Sequence, residues 1–64
     1  MNEDTVYIVQ RWLGDVQAWQ DVTKYETASS ARVSAYEAHR ETNNYYRVVA
    51  RTFEEYEVMQ VPCR

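Results

Sequence analysis

Tyr45-Tyr46-Arg47-Val48-Val49-Ala50-Arg51-Thr52-Phe53 is the longest β-favouring run in the chain, and Glu54, Glu55 and Glu57 follow at once. β-branched and aromatic side chains suit a pleated, half-buried surface, so the run is expected to supply the central hydrophobic layer. Read as one strand from Tyr45 to about Val58, it joins that layer to the densest patch of negative charge. Alternate residues share a face, which groups Tyr45, Arg47, Val49, Arg51 and Phe53.

Working outward, Thr5 to Leu13 is also β-branched and aromatic and reads as the first strand. Gly14-Asp15 follows, and Gly at the first central position is the mark of a two-residue type II′ hairpin turn. That turn would pair Leu13 with Val16, Arg11 with Ala18, Val9 with Gln20 and Tyr7 with Val22. Tyr7, Val9, Leu13, Val16, Ala18 and Val22 would then share one face, and Val6, Ile8, Trp12, Trp19 and Tyr25 the other. Neither face is plainly polar.

Between the second strand and the long run the period changes. Ala28, Ala31, Ala35, Ala38 and Thr42 recur three and four apart, the spacing of one helical face. Thr27 or Ser29 is suited to cap the helix start, and Asn43-Asn44 tolerates the left-handed turn that ends it. An alanine stripe lets a helix approach a sheet whose strands supply the bulky groups. Val33, Tyr36, Glu37 and Arg40 lie on the other side of the wheel.

A helix joining strands two and three makes those two parallel, and placing strand three beside strand one makes every adjacent pair antiparallel. The expected fold is therefore α+β: a ββαβ chain with a three-stranded antiparallel sheet in order 2-1-3 and one helix across one face. Composition leaves open which face the helix covers. Residues 1–64 form one domain on this reading, with 1–4 and 60–64 as flexible tails.

A chain of 64 residues buries only about 60% of its unfolded surface, so a deep active-site cleft would consume most of its core. At 45% hydrophobic and 14% aromatic it is far too apolar to be disordered. The net charge of −3 repels a phosphate backbone and suits a basic protein surface. Cys63 is the one cysteine, so neither an internal disulfide nor a thiolate zinc site is expected, in keeping with a reducing cytosol. Neither a signal peptide nor a membrane span is expected from the first residues.

No constellation for chemistry emerges. His39 has no convincing partner for catalysis or metal binding, whether a second His, a Cys or a suitably placed carboxylate, no Gly-x-Ser-x-Gly elbow presents Ser29, Ser30 or Ser34, and the lone Gly14 cannot build a phosphate cradle. No enzyme, cofactor or metal site is expected. Two surfaces remain. Arg47, Arg51 and Tyr45 suit stacking on single-stranded nucleic acid, unless the arginines pair with carboxylates on a neighbouring strand. Glu54, Glu55 and Glu57, about 6.7 Å apart where they alternate, suit a row of phosphate-like charges, or else guard a strand end against aggregation. Trp12, Trp19 and Tyr36 are the candidate anchors.

The pattern Tyr7-x-Val9-Gln10-Arg11, then Trp19-x-Asp21-Val22, an Ala-rich helix and Tyr46-Arg47-Val48-Val49-x-Arg51-Thr52 resembles small ββαβ proteins of bacteriophages and other mobile elements. Size and acidity are similar to those of phage-encoded inhibitors, anti-CRISPR proteins among them. The resemblance implies a stoichiometric blocker rather than a catalyst, acting as a monomer or weak homodimer on a host protein, most plausibly a CRISPR effector subunit, whose basic groove it occupies. The contrasting expectation is a nucleic-acid-binding or autoregulatory module on Arg47, Arg51 and Tyr45.

Overall fold

The computed structural model describes residues 5–62. Its elements are β1 (Val6–Leu13), β2 (Ala18–Tyr25), α1 (Ala28–Thr42), β3 (Tyr46–Arg51) and β4 (Glu55–Val61). The protein is α+β, with one helix on a four-stranded sheet of order β2-β1-β3-β4 in which every pair is antiparallel. The expected order 2-1-3 holds, and a fourth strand extends it.

That strand comes from the long run itself, which is two strands and a turn rather than one strand. Thr52-Phe53-Glu54 reverse the chain, with the Thr52 N–H donating to the Glu54 carbonyl at 3.0 Å. None of these is a turn-forming Gly, Pro, Asn or Asp, so local propensity is silent. Pairing across the new hairpin closes it instead, with Tyr46 opposite Val61, Val48 opposite Met59 and Arg51 opposite Glu55. Gln60 and Val61 therefore belong to β4, not to a tail, and Val61 is only 2% exposed. The tail expected at 1–4, the end of the one expected at 60–64, and Cys63 lie outside the described residues.

The first hairpin also departs from expectation. Its turn spans Gly14 to Gln17, and the positive φ belongs to Gln17 (55°), so the type II′ geometry is absent. Leu13 pairs with Ala18, Trp12 with Trp19 and Arg11 with Gln20. The longer turn sets the two indoles side by side, a pairing favourable beyond simple area burial. Val16 then sits exposed in the turn. A bulge at Val22 shifts the register again, so that Val9 meets Thr23 and Tyr7 meets Tyr25. Tyr25 thereby moves to the opposite face from the tryptophans, and Val22, expected opposite Tyr7, is left exposed at the bulge.

The helix follows its sequence closely. Thr27 caps it, its Oγ1 accepting from the Ser30 N–H at 3.3 Å, and Asn43 ends it at φ 64° with its N–H on the His39 carbonyl at 2.7 Å. Ala31 and Ala35 are buried against Val9, Tyr46, Val48 and Val61, with Tyr7, Tyr25, Ala38 and Met59 packed around them. The helix thus covers the Tyr7–Val9 face, and the tryptophan face is left without a second layer.

Candidate functional site

The uncovered face can be read off the register as four rows across the sheet. Val6, Arg51 and Glu55 make the first row, at the end of the β3–β4 turn. Lys24, Ile8, Val49 and Glu57 make the second, and Asp21, Gln10, Arg47 and Gln60 the third. Trp19, Trp12 and Tyr45 make the fourth, where the Trp12 N–H donates to the Tyr45 carbonyl at 2.9 Å.

Ile8 and Val49 are 0% and 1% exposed although no helix covers them. The arginines account for this. Arg51 starts one row to one side of Ile8, donates to Glu55 at 2.7 Å, and reaches Asp21 at 3.3 Å one row to the other side. Its hydrocarbon stem therefore crosses the Ile8–Val49 pair, as long charged side chains commonly cover apolar surface. Arg47 donates through Nε to Gln10 at 2.7 Å and through Nη1 to Glu57 at 3.4 Å, and lies 4.0 Å from Glu55.

Gln10 ties the rows together. It is 4% exposed and bonded at both ends of its amide, its Nε2 donating to Asp21 at 2.7 Å while its Oε1 accepts from Arg47. The Gln10 amide, and after it Arg51, hold the Asp21 carboxyl below the ordinary carboxylate value despite partial desolvation. The hydrogen bonds to Glu55 and then Asp21 push the Arg51 guanidinium up.

At the far end of the face the Trp12 and Trp19 rings lie 5.2 Å apart at 58° to each other. The Arg47 guanidinium sits 4.5 Å above the Trp19 ring, within cation–π range. Trp12, Trp19, Tyr45 and Gln60 enclose an open notch of about 410 Å³.

Of the six residues expected to bind a partner, four therefore share this face: Trp12, Trp19, Glu55 and Glu57. Tyr36 does not join them. It is exposed on the outer side of α1 with Val33, across the sheet from the tryptophans. Glu54 lies in the β3–β4 turn, and no ion pair reaches it among the described residues. The two remaining glutamates are held by Arg47 and Arg51, so the pairing across neighbouring strands exists and the free acidic row on β4 does not.

Negative charge is unbalanced elsewhere. On the open face Lys24, Arg47 and Arg51 match Asp21, Glu55 and Glu57, and on α1 Arg32 and Arg40 match Glu37 and Glu41. Among the described residues Asp15, Glu26 and Glu54 remain, all in turns, against Arg11. Glu26 and Glu54 lie at the same end of the sheet, together with Phe53, whose side chain is fully exposed.

Sequence reasoning put Phe53 on a strand face with Arg47 and Arg51 rather than in a turn, counted Asp21 only as part of a wider acidic surface, and missed Gln10 and Gln60 as parts of these surfaces. Phe53 was legible in principle, because a run from Tyr45 to Val58 far exceeds the usual strand of about five to six residues, which signals a concealed turn. Gln10 carried no such signal, since only pairing shows that it lies between Asp21 and Arg47. His39 donates from Nδ1 to the Asn44 carbonyl at 2.7 Å and so closes the helix end. Among the described residues no group of three or more His, Cys, Asp or Glu could hold a metal ion, and no helix is long and apolar enough to cross a membrane.

Comparison with protein-family models, with curated proteins and with solved structures finds no match for this chain, so its function is argued from its own surfaces.

Proposed function

We propose that this protein is a non-catalytic inhibitor of mobile-element origin that acts in the host cytoplasm, blocking the basic nucleic-acid-binding groove of a host defence complex, a CRISPR effector first. The single observation behind the reading is the β3–β4 turn, where a fully exposed Phe53 stands beside Glu54, which no ion pair reaches among the described residues. An aromatic anchor beside uncompensated charge is the composition of a binding hot spot for a positively charged partner.

Charge steers the encounter and the aromatic holds it. Glu54, with Glu26 at the same end, carries the electrostatic part, because Glu55 and Glu57 are occupied by Arg47 and Arg51. The same pairing weighs against the alternative of a nucleic-acid-binding module on Arg47, Arg51 and Tyr45. Both guanidiniums would have to leave carboxylates to meet phosphates.

Gel shifts with guide-loaded CRISPR effector complexes and their target DNA test the reading. Added protein is expected to release the DNA at low salt and less so at high salt, with Phe53→Ala and Glu54→Lys both weakening the effect. Effectors that keep their DNA at every ionic strength would overturn it, and direct binding of oligonucleotides by the protein alone would favour the alternative.

A further inference from the structure

The aromatic row stands at the opposite end of the sheet from Phe53 and is not used by the charged turn. Trp19 and Trp12 come from β2 and β1, Tyr45 immediately precedes β3, and Gln60 of β4 closes the fourth side of their notch. Its walls are held before any ligand arrives. Arg47 is stacked on Trp19 while bonded to Gln10 and Glu57, and the Trp12 backbone is bonded to Tyr45. Such preorganisation lowers the entropy lost on binding.

Three features select the occupant. Arg47 is neutralised by Glu57 and Glu55, so the notch has no net charge to offer a phosphate or a cation. One face of Trp19 is taken by Arg47 and the indoles are tilted at 58°, which leaves no parallel pair to sandwich a flat base. Neither indole N–H nor the Tyr45 hydroxyl has a hydrogen-bond partner among the described residues. The site therefore combines tilted aromatic walls with spare donors.

We propose that this notch binds a proline-rich extended segment of a protein partner. Prolyl peptide groups offer carbonyl acceptors and no N–H donors, the complement of a rim of indole and phenol donors. The puckered pyrrolidine ring fits between tilted aromatic walls, and a polyproline II segment is already extended with its carbonyls free, so little order is lost on docking. The contact is separate from the one at Phe53, and either can fail without the other.

Both tryptophans of the chain lie in the notch, so intrinsic fluorescence reads the site directly. Titrating a synthetic proline homopolymer into the full chain is expected to give a saturable spectral change. Tyr45→Ala, which keeps both fluorophores, should weaken it about ten-fold, the scale of losing one anchor. Tyr36→Ala, on the other side of the molecule, should leave it unchanged. Gln60→Ala serves as a second notch variant should Tyr45→Ala lose its fold by circular dichroism. No change up to millimolar peptide overturns the proposal, as does a response to a thymidine homopolymer in place of the peptide.

Discussion

The two faces of this sheet are closed by different means. On one, α1 lays Ala31 and Ala35 on Val9, Tyr46, Val48 and Val61, and the cover is backbone and methyl groups. On the other, Ile8 and Val49 are equally inaccessible, but their cover is a lattice of Arg47, Arg51, Gln10, Asp21, Glu55 and Glu57. A chain too short for a third layer can still bury a second apolar pair if long side chains lie flat across it. The consequence for function is that the β4 carboxylates act inward, holding that cover, while the unbalanced charge is displaced to the turns.

The comparison breaks most readily at Ile8. If the side-chain lattice excludes water as the helix does, Ile8→Ala should cost about 2–5 kcal/mol in urea unfolding, the range of a true core truncation. A loss below about 1 kcal/mol would show the open face to be wet, since an exposed site carries no cavity penalty. On the helix side the close approach is tested by Ala35→Leu, for which overpacking should cost about 1–3 kcal/mol in the same assay.

Smaller changes sharpen it further. Thr27→Ala removes the acceptor for the Ser30 N–H and should cost about 1 kcal/mol by thermal melting. The last effect is the smallest, because Asp21 and Arg51 are half exposed and screened. The Asp21 carboxyl is held below its ordinary value of 3.8 in the folded chain. Its stabilising contribution is thus fully present above that value and is lost as pH falls through the lower folded one. The stability difference between the parent chain and Asp21→Asn should shrink on acidification in that window, and a difference constant from neutral to acid pH would show that the Gln10 and Arg51 contacts do not hold the charge.

Both edge strands carry a bulge at an exposed valine, Val22 on β2 and Val58 on β4. Interrupted ladders are poor templates for adding a further strand, which directs attention to the turn and the notch as contact points. Of these, the Trp12–Trp19 pair was legible as an aromatic cluster on one sheet face, although Tyr25 was wrongly placed with it and the face the helix covers was left open. The parity of β2 changes at Val22, and nothing in the residues around Val22 announces a bulge.

Elements whose geometry depends on near neighbours were determined by the sequence alone. The alanine spacing, the Thr27 cap and the left-handed Asn43 all act within a turn or so of the chain, and they produce α1 as read. The strand order followed too, because a helical crossover between antiparallel neighbours leaves few arrangements. Register, both bulges and the turn at Thr52–Glu54 were decided only in three dimensions. Each is the outcome of a competition between alternative pairings of distant strands, won by contacts such as Trp12 on Trp19 and Arg51 on Glu55 that exist only once the sheet has closed.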